Sequence, residues 1–319
     1  MKIKVNDISR AEMLEASYDI AFLALGYEPR CTYVSRLLDV DRVKETIIFA
    51  YSENLDSINR KESHSFFQKK WSGKEKFVDL AHSNVKEVYS VLNSLEMVSG
   101  ECATKILIDY SAMSRNWYAA ILNYFMRHSS ENVIIDLVYS SAEYPISDDF
   151  YQFELGDIKI LPGCEGSSIT KSKKCAIFML GFDSLGPQSF YNLLEPELSF
   201  GVIASPGALP DYENIALERN KEFIGHQLMN GNKLLRLPIS SVSTTFEELC
   251  QLIQPLRNDY NISLIQFGPK PHIIASTLAG IFFDNVSCIY SEYNRSKPFE
   301  VVHNGDLVIA RLDIKGNEA

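Results

Sequence analysis

Short apolar runs alternate with longer amphipathic segments along most of the chain. The runs 20–25 and 175–180 are continuously apolar and have the length of buried strands, whereas Tyr118, Ile121 and Phe125 repeat at helical spacing. In the first half the predicted strands are 19–25, 46–51, 105–110 and 133–139, and the predicted helices are 30–39, 81–97 and 115–128. In the second half the predicted strands are 175–180, 200–204, 262–267 and 286–290, and the predicted helices are 187–194, 212–228, 244–256 and 270–283. This alternation is typical of βαβ units that build a mostly parallel sheet.

The pattern of the first half recurs in the second half. Ile20–Glu28 and Cys175–Asp183 both run from a buried strand into glycine, an aromatic residue and an acid. A second strand then leads to a basic residue at a helix start, Arg115 in one half and Lys270 in the other. The spacing from glycine to cation is 89 residues in both halves (115 − 26 and 270 − 181). A shared spacing of this kind indicates an internal duplication.

Two further matches follow in the same order. Leu137–Tyr144 resembles Cys288–Tyr293, and Gly156-Asp157-Ile158 resembles Gly305-Asp306-Leu307 near a closing strand or hairpin in each half, at 153–160 and 301–314. We therefore predict an α/β protein of two tandem Rossmann-like, doubly wound, mostly parallel sheets related by duplication. The predicted lobes are 1–165 and 173–319, with Pro162–Lys174 as the linker, and the polar insertion 52–78 is expected to be a helical or mobile excursion over the ligand edge.

Composition narrows the class of protein. No stretch approaches the ~20 consecutive apolar residues that cross a bilayer, and the acidic start lacks a signal peptide, so we expect a soluble cytoplasmic protein without membrane contact. A net charge of −10 disfavours duplex nucleic acid as a partner but permits a local anion pocket. The six cysteines form no CxxC pair and no cluster with zinc spacing, so we predict reduced thiols, no metal site and no cofactor.

Three basic residues are predicted to lie in the first turn of a helix at the ligand edge of a sheet. Arg30, Arg115 and Lys270 would each be disfavoured there by the helix dipole, and a bound anion would reverse that penalty. The alternative is that Arg30 and Arg115 pair with neighbouring acids such as Glu28 and Asp109. The recurrence of a cation in both halves favours the anion site.

The candidate binding residues share one property, a position in a loop or helix start at the carboxyl end of a predicted strand. They are Gly26, Arg30, Ser111, Arg115 and Tyr139 in the first half and Gly181, Gly268, Lys270, His272 and Tyr290 in the second. The tyrosines would either stack on a base or ring or serve as packing residues, and His272 is interpreted as a helix-start residue rather than a catalytic base.

The segment Gly268-Pro269-Lys270-Pro271-His272 lies between an apolar strand and a helix. It resembles the strand–loop–helix of CRISPR-associated Rossmann-fold (CARF) sensors, whose Thr-Gly-Gly-Thr-Lys type loop meets the phosphates of a cyclic oligonucleotide. It is also similar to the double-CARF sensor domain of cyclic-nucleotide antiphage systems, which fuses two such units in one chain. The resemblance implies that Gly268 and Lys270 contact phosphate, that Arg115 is the counterpart of Lys270, and that the protein acts in antiphage defence. Neither copy has the paired glycines of that loop, and no effector domain accompanies them in this sequence.

Three functions are consistent with these patterns. The favoured hypothesis is a nucleotide- or phosphate-ligand-binding sensor that passes a signal to a protein partner. The second is a nucleotide-processing enzyme of N-glycosidase or hydrolase type that uses the strand-end carboxylates Glu28, Asp109 or Asp183. The third is a non-catalytic scaffold whose loops are structural. A homo-oligomer is compatible with all three, and the sequence does not choose the ligand or the partner.

Overall fold

The structure, a computed structural model, describes residues 2–53, 55–95, 103–128, 132–144, 154–166, 171–294 and 301–315. It divides into two compact units. Unit 1 comprises Met1–Tyr144 and Phe299–Ala319, and unit 2 comprises Pro145–Pro298. None of the described helices is long and apolar enough to span a membrane.

Each unit is built from strands that alternate with helices. The strands are β1 (Lys2–Asp7), β2 (Tyr18–Leu25), β3 (Val43–Tyr51), β4 (Glu75–Leu80), β5 (Thr104–Asp109), β6 (Val133–Glu143), β7 (Glu154–Glu165), β8 (Lys173–Met179), β9 (Leu198–Ala204), β10 (Leu234–Leu237), β11 (Tyr260–Gln266), β12 (Val286–Asn294) and β13 (Val302–Lys315). The α-helices are α1 (Arg10–Glu15), α2 (Tyr33–Leu37), α3 (Ile58–Lys70), α4 (Val85–Asn93), α5 (Arg115–His128), α6 (Leu185–Leu194), α7 (Tyr212–Arg219), α8 (Lys221–Gln227), α9 (Val242–Leu256) and α10 (Lys270–Phe282). Short 3-10 helices cover Pro29–Thr32 and Val40–Arg42.

The two sheets have the same topology. The sheet of unit 1 has the order β4-β3-β2-β5-β6-β13-β1, and the sheet of unit 2 has the order β10-β9-β8-β11-β12-β7. In each sheet the first five strands are parallel, and the strand that follows is antiparallel to them. The structure therefore confirms the predicted fold class of two mostly parallel, Rossmann-like sheets in tandem.

Strand register confirms that the matched segments are equivalent. Tyr139 of β6 and Tyr290 of β12 occupy the same place beside the central strand, because Asp109 pairs with the residue before Tyr139 and Ile265 with the residue before Tyr290. The repeated Gly-Asp segments also coincide, since Leu307 pairs with Ser140 and Ile158 pairs with Ser291.

The closing strands are exchanged between the two units. β7, which follows the first half of the chain, pairs with β12 of unit 2, whereas β13, at the end of the second half, pairs with β6 of unit 1. This division differs from the predicted contiguous lobes 1–165 and 173–319. The predicted linker Pro162–Lys174 differs as well, because β7 extends to Glu165 and β8 begins at Lys173, while residues 167–170 lie outside the described residues.

Several elements differ from their predicted bounds for local reasons. The predicted helix 30–39 is split into a 3-10 turn and α2, and the predicted helix 212–228 is split into α7 and α8 at Asn220. The insertion 52–78 contains α3 and the start of β4, an edge strand that was missed. β10 is also an edge strand, and its four residues are too few to produce a periodic pattern.

Candidate functional site

The strand order of each sheet reverses once among the parallel strands. In unit 1 the chain proceeds from β2 outward to β3 and β4 and then returns to β5 on the other side of β2. In unit 2 the corresponding neighbours are β8 and β11. Loops at the carboxyl ends of such neighbours diverge to opposite faces of the sheet and leave a crevice, which is where open α/β sheets bind ligands. The predicted loops after Leu25 and Asp109, and those after Met179 and Gln266, lie at these two switch points.

Buried polar groups link β5 to β6 at the switch point of unit 1. The Ser111 backbone N–H and Oγ donate to Asp109 Oδ1 at 3.0 and 2.5 Å, and Ser111 Oγ accepts a hydrogen bond from the Ser140 N–H at 2.8 Å. Asp109 is only 2% exposed. The Asp109 carboxylate therefore fixes the turn after β5, and the candidate residue Ser111 joins that turn to the neighbouring strand.

Arg30 lies in a buried cluster beside this network. Its Nε donates to Glu28 Oε2 at 2.6 Å, and a terminal nitrogen donates to the Tyr144 hydroxyl at 3.2 Å and to the Tyr139 hydroxyl at 3.4 Å. The guanidinium also lies 5.7 and 5.8 Å from the centres of these two rings, within the range of cation–π attraction. Arg30 is only 2% exposed and forms an ion pair with Glu28. For this residue the structure therefore agrees with the alternative prediction, a neighbouring acid as partner, rather than with an anion site. Tyr139 serves here as a packing and hydrogen-bonding residue.

Tyr51 connects the end of β3 to the loop after β5. Its hydroxyl donates to the Ala112 carbonyl at 3.0 Å. Its ring lies against Gly26 and also packs on Trp117, with the two ring centres 4.3 Å apart. Tyr51 remains partly exposed. Tyr51 therefore holds the loop after β5 at the carboxyl edge of unit 1, next to the switch point.

Arg115 and Lys270 are each the first residue of a helix, as predicted. Arg115 begins α5, which follows β5, and Lys270 begins α10, which follows β11. Both side chains are partly buried. In each unit a cation therefore stands at the amino terminus of the helix that leaves the switch point.

The glycines of unit 2 allow two loops to touch. A Cβ on Gly181 would lie 2.5 Å from the Phe267 carbonyl oxygen, and a Cβ on Gly268 would lie 3.0 Å from Met179 Cβ. A Cβ on Gly186 would lie 2.3 Å from the Phe267 ring. Close packing therefore explains why glycine is present at these three positions. Phe267, which takes part in two of the contacts, corresponds in the strand register to the polar Ser111 of unit 1.

The remaining unit 2 candidates have structural partners. Asp183 Oδ1 accepts hydrogen bonds from the amides of Leu185 and Gly186, both at 2.9 Å, and so caps the start of α6. Tyr290 is 5% exposed on β12. His272 is fully buried, its Nε2 lies 3.4 Å from the Pro238 carbonyl oxygen, and burial lowers its pKa to about 4.

His272 has a direct counterpart in unit 1. Trp117 is the third residue of α5, as His272 is the third residue of α10, and its indole N–H donates to the Ala81 carbonyl at 3.2 Å. Ala81 and Pro238 each follow the last residue of an edge strand, β4 and β10. Both rings therefore tie the helix of the switch point to an edge strand, which supports the interpretation of His272 as a structural residue.

The cysteine thiols of the described residues are reduced, and the pKa of three of them is strongly raised. Burial raises the pKa of Cys31 to about 11 and those of Cys175 and Cys250 to about 12, so all three stay protonated at neutral pH. Cys102 lies outside the described residues. Among the residues that the structure describes, no three His, Cys, Asp or Glu side chains are grouped as metal ligands would be.

One polar residue at the carboxyl edge of unit 1 was missed in the sequence. Arg60, in the first turn of α3, is 5% exposed, and its Nε has no hydrogen-bond partner among the described residues. A basic residue on a polar helix usually points to solvent, so its sequence context gave no signal.

No family profile and no curated protein sequence matches this chain. The YcgJ protein from Bacillus subtilis is similar over 41% of this chain and 48% of its own, with 14% identity and a TM-score of 0.23. This chain thus aligns with about half the length of YcgJ. A putative methyltransferase from Bacillus halodurans matches 47% of this chain and 70% of its own at 12% identity and a TM-score of 0.24. The cytoplasmic domain of a prokaryotic cation chloride cotransporter matches 86% of this chain and 95% of its own length, with 10% identity and a TM-score of 0.24.

Proposed function

We propose that the protein is a sensor that binds a nucleotide or another phosphate-bearing small molecule at the switch point of unit 1. One observation carries this proposal: in both units a cation is the first residue of the helix that leaves the switch point, Arg115 on α5 and Lys270 on α10. Free amides and the positive end of the helix dipole favour an anion at such a position, and a basic side chain adds a charge-assisted hydrogen bond.

Unit 1 is the better binding unit because its switch point carries polar groups and a partly exposed tyrosine. Asp109, Ser111 and the Glu28–Arg30 pair lie there, and Tyr51 lies next to them. In unit 2 the backbone at Gly181 and Gly268 packs directly against Phe267 and Met179. In this proposal unit 2 is the more degenerate copy and contributes less to affinity.

The ligand class follows from a cation beside an aromatic ring. A phosphate would lie at the start of α5, and a base or sugar ring would lie against Tyr51. The resemblance to CARF sensors makes cyclic oligonucleotides the first ligands to test, with antiphage defence in the cytoplasm as the setting and a protein partner as the recipient of the signal.

The decisive experiment is a titration of the full chain with mono-, di- and cyclic nucleotides by isothermal titration calorimetry. We expect stoichiometric binding without turnover, checked by mass spectrometry of the recovered ligand. Arg115→Ala should weaken binding at least about tenfold, which corresponds to about 1.4 kcal/mol, and Lys270→Ala should have a smaller effect. No binding across the panel, or binding that is indifferent to both substitutions, would contradict the proposal.

The enzyme alternative would depend on Glu28. Of the three candidate carboxylates, only Glu28 is partly exposed, with 18% of its side chain accessible. Conversion of a nucleotide to product that Glu28→Gln or Asp109→Asn abolishes would replace the sensor by an enzyme. Persistence of the activity in both variants would exclude these carboxylates as catalytic groups.

A further inference from the structure

Two arginines are buried among the described residues of unit 1, and they differ in their hydrogen bonds. Arg30 donates to Glu28, Tyr144 and Tyr139. The Arg60 side chain is 6% exposed, and among the described residues its nearest carboxylate is that of Asp79, 3.9 Å from a terminal nitrogen. This distance is too long for a hydrogen bond.

The burial of Arg60 is energetically unfavourable as it stands. A buried guanidinium requires acceptors for its five N–H groups, and the Nε of Arg60 has none among the residues that the structure describes. Burial accordingly lowers the pKa of Arg60, and Asp79 offsets this effect only in part. Since Asp79 is 73% exposed, water screens its charge.

The position of Arg60 in its helix adds to the imbalance. Arg60 is the third residue of α3, which has 13 residues, no acid in its first turn, and no side-chain hydrogen bond from its capping residue Ser57. Arg60 thus places a cation in the first turn, at the positive end of the helix dipole. An anion at this point would offset both the dipole and the charge of the guanidinium.

The surroundings place this point at the carboxyl edge of the unit 1 sheet. Asp79 is the penultimate residue of β4, and the buried Ser63, one turn after Arg60, accepts a hydrogen bond from the Cys31 thiol at 3.4 Å. Cys31 belongs to the 3-10 turn Pro29–Thr32, which follows β2. Arg60 therefore lies between the start of α3, the end of β4 and the turn after β2.

We propose that the amino terminus of α3 binds an anionic group of the phosphate class through the Arg60 guanidinium and the first-turn amides. The guanidinium fork matches two phosphate oxygens, and the helix amides supply further donors. This site goes beyond the proposed function, because its donors are Arg60 and the first turn of α3 rather than Arg115 and the first turn of α5. The same chemistry would recognise inorganic phosphate, pyrophosphate or the phosphate of a nucleotide.

The test is a calorimetric titration of the full chain at low ionic strength with inorganic phosphate, pyrophosphate and AMP. We expect Arg60→Met, which removes the charge and keeps the length, to weaken binding at least about tenfold. Arg60→Lys should bind with intermediate affinity. Asp79→Asn removes the nearby carboxylate and should bind about threefold more tightly, while Lys69→Met, which removes an exposed cation in the last turn of the same helix, should bind as the unsubstituted protein does.

A thermal melt separates binding from a structural role. Without anion, Arg60→Met should melt at a higher temperature than the unsubstituted protein, because a buried charge has been removed, and it should gain nothing from added pyrophosphate. Tighter binding of AMP than of inorganic phosphate would identify a nucleotide phosphate as the ligand, and the reverse would identify the free anion.

Three results would overturn the inference. They are the absence of binding by all three probes, unchanged affinity in both Arg60→Met and Arg60→Lys, and a lower melting temperature of Arg60→Met together with intact binding. Nucleotide binding that Arg115→Ala weakens, together with pyrophosphate binding that Arg60→Met leaves unchanged, would reject this site and leave the proposed function standing. Pyrophosphate binding that depends on Arg60 alone would support it whatever the nucleotide panel shows.

Discussion

The two units share a topology and a register, yet their switch points are built from different residues. Phe22 pairs with Ile108 in unit 1, and its equivalent Ile177 pairs with Leu264 in unit 2. Through this register Asp109 and Ser111 of unit 1 correspond to Ile265 and Phe267 of unit 2. At these two positions unit 1 has a carboxylate and a hydroxyl group, whereas unit 2 has an aliphatic and an aromatic side chain. Topology supplies the crevice, and the side chains at two positions determine whether it is polar or packed.

The acids at the ends of the first strands should differ most between the units. Glu28→Gln removes the carboxylate hydrogen-bonded to the buried Arg30, so we expect unit 1 to lose about 3 kcal/mol of stability. Asp183→Asn keeps an oxygen that can cap α6, so unit 2 should lose less than about 1 kcal/mol. Urea unfolding followed by hydrogen exchange on peptides of β2 and β8 measures each unit separately. Equal losses would show that Arg30 does not depend on Glu28.

The paired glycines provide the next largest contrast. Gly181→Ala introduces a Cβ 2.5 Å from the backbone oxygen of Phe267. Gly26→Ala introduces a Cβ 3.4 Å from a ring carbon of Tyr51, which is an ordinary contact with a side chain. We expect about 2–3 kcal/mol of destabilisation for Gly181→Ala and under about 1 kcal/mol for Gly26→Ala. The same exchange and unfolding measurements apply. A tolerant Gly181 would mean that the crevice of unit 2 can open.

The pH dependence of stability should distinguish α10 from α5. Because the pKa of folded His272 is about 4 and that of an unfolded histidine is about 6.5, the unfolded state binds more protons between these values. The neutral imidazole therefore stabilises unit 2 above pH 6.5, and this contribution falls as the pH decreases towards 4. We expect a loss of about 2 kcal/mol between pH 7 and pH 5 from this residue.

His272→Gln is the control for that measurement, since it lacks a titrating group. The variant should show a smaller decrease in the free energy of unfolding between pH 7 and pH 5, while Trp117→Phe, at the equivalent position, should leave the pH dependence unchanged. An unaltered slope in His272→Gln would remove the basis of the prediction.

The smallest expected effect concerns the tyrosine of the Arg30 cluster. Tyr139→Phe removes one hydroxyl 3.4 Å from the guanidinium but keeps the ring, so unit 1 should lose about 1 kcal/mol. Denaturant unfolding of the variant measures this loss. A loss as large as that of Glu28→Gln would show that the tyrosine hydroxyls, rather than the Glu28 carboxylate, provide most of the stabilisation of buried Arg30.

The duplication made much of the fold predictable. A spacing of 89 residues between glycine and cation placed Arg115 and Lys270 at equivalent helix starts, and the structure has both at the first helical residue. The exchange of β7 and β13 was not predictable. Both strands carry the same Gly-Asp-aliphatic sequence, ending in Ile158 and Leu307, so either strand could pair with β6 or with β12. Local pattern specifies that a strand pairs, but it does not choose between two homologous edges.

The candidate site was predictable in position and less so in chemistry. The sequence located Arg30 and His272 at the carboxyl edge, but it could not decide that Glu28 neutralises the first or that Pro238 faces the second, because those contacts depend on side-chain geometry. Arg60 was missed for a different reason. Its environment is created by β4 and the turn after β2, which meet α3 only in the folded unit.

Strand exchange also fixes the order in which a nascent chain can finish its sheets. The first sheet lacks β13 until the last strand has emerged from the ribosome, whereas the second sheet has all its strands once β12 is made. The unit that is translated first is therefore completed last, and β6 keeps an open edge during the synthesis of about half the polypeptide. β7, which emerges directly after β6 and resembles its final partner, is the natural competitor for that edge.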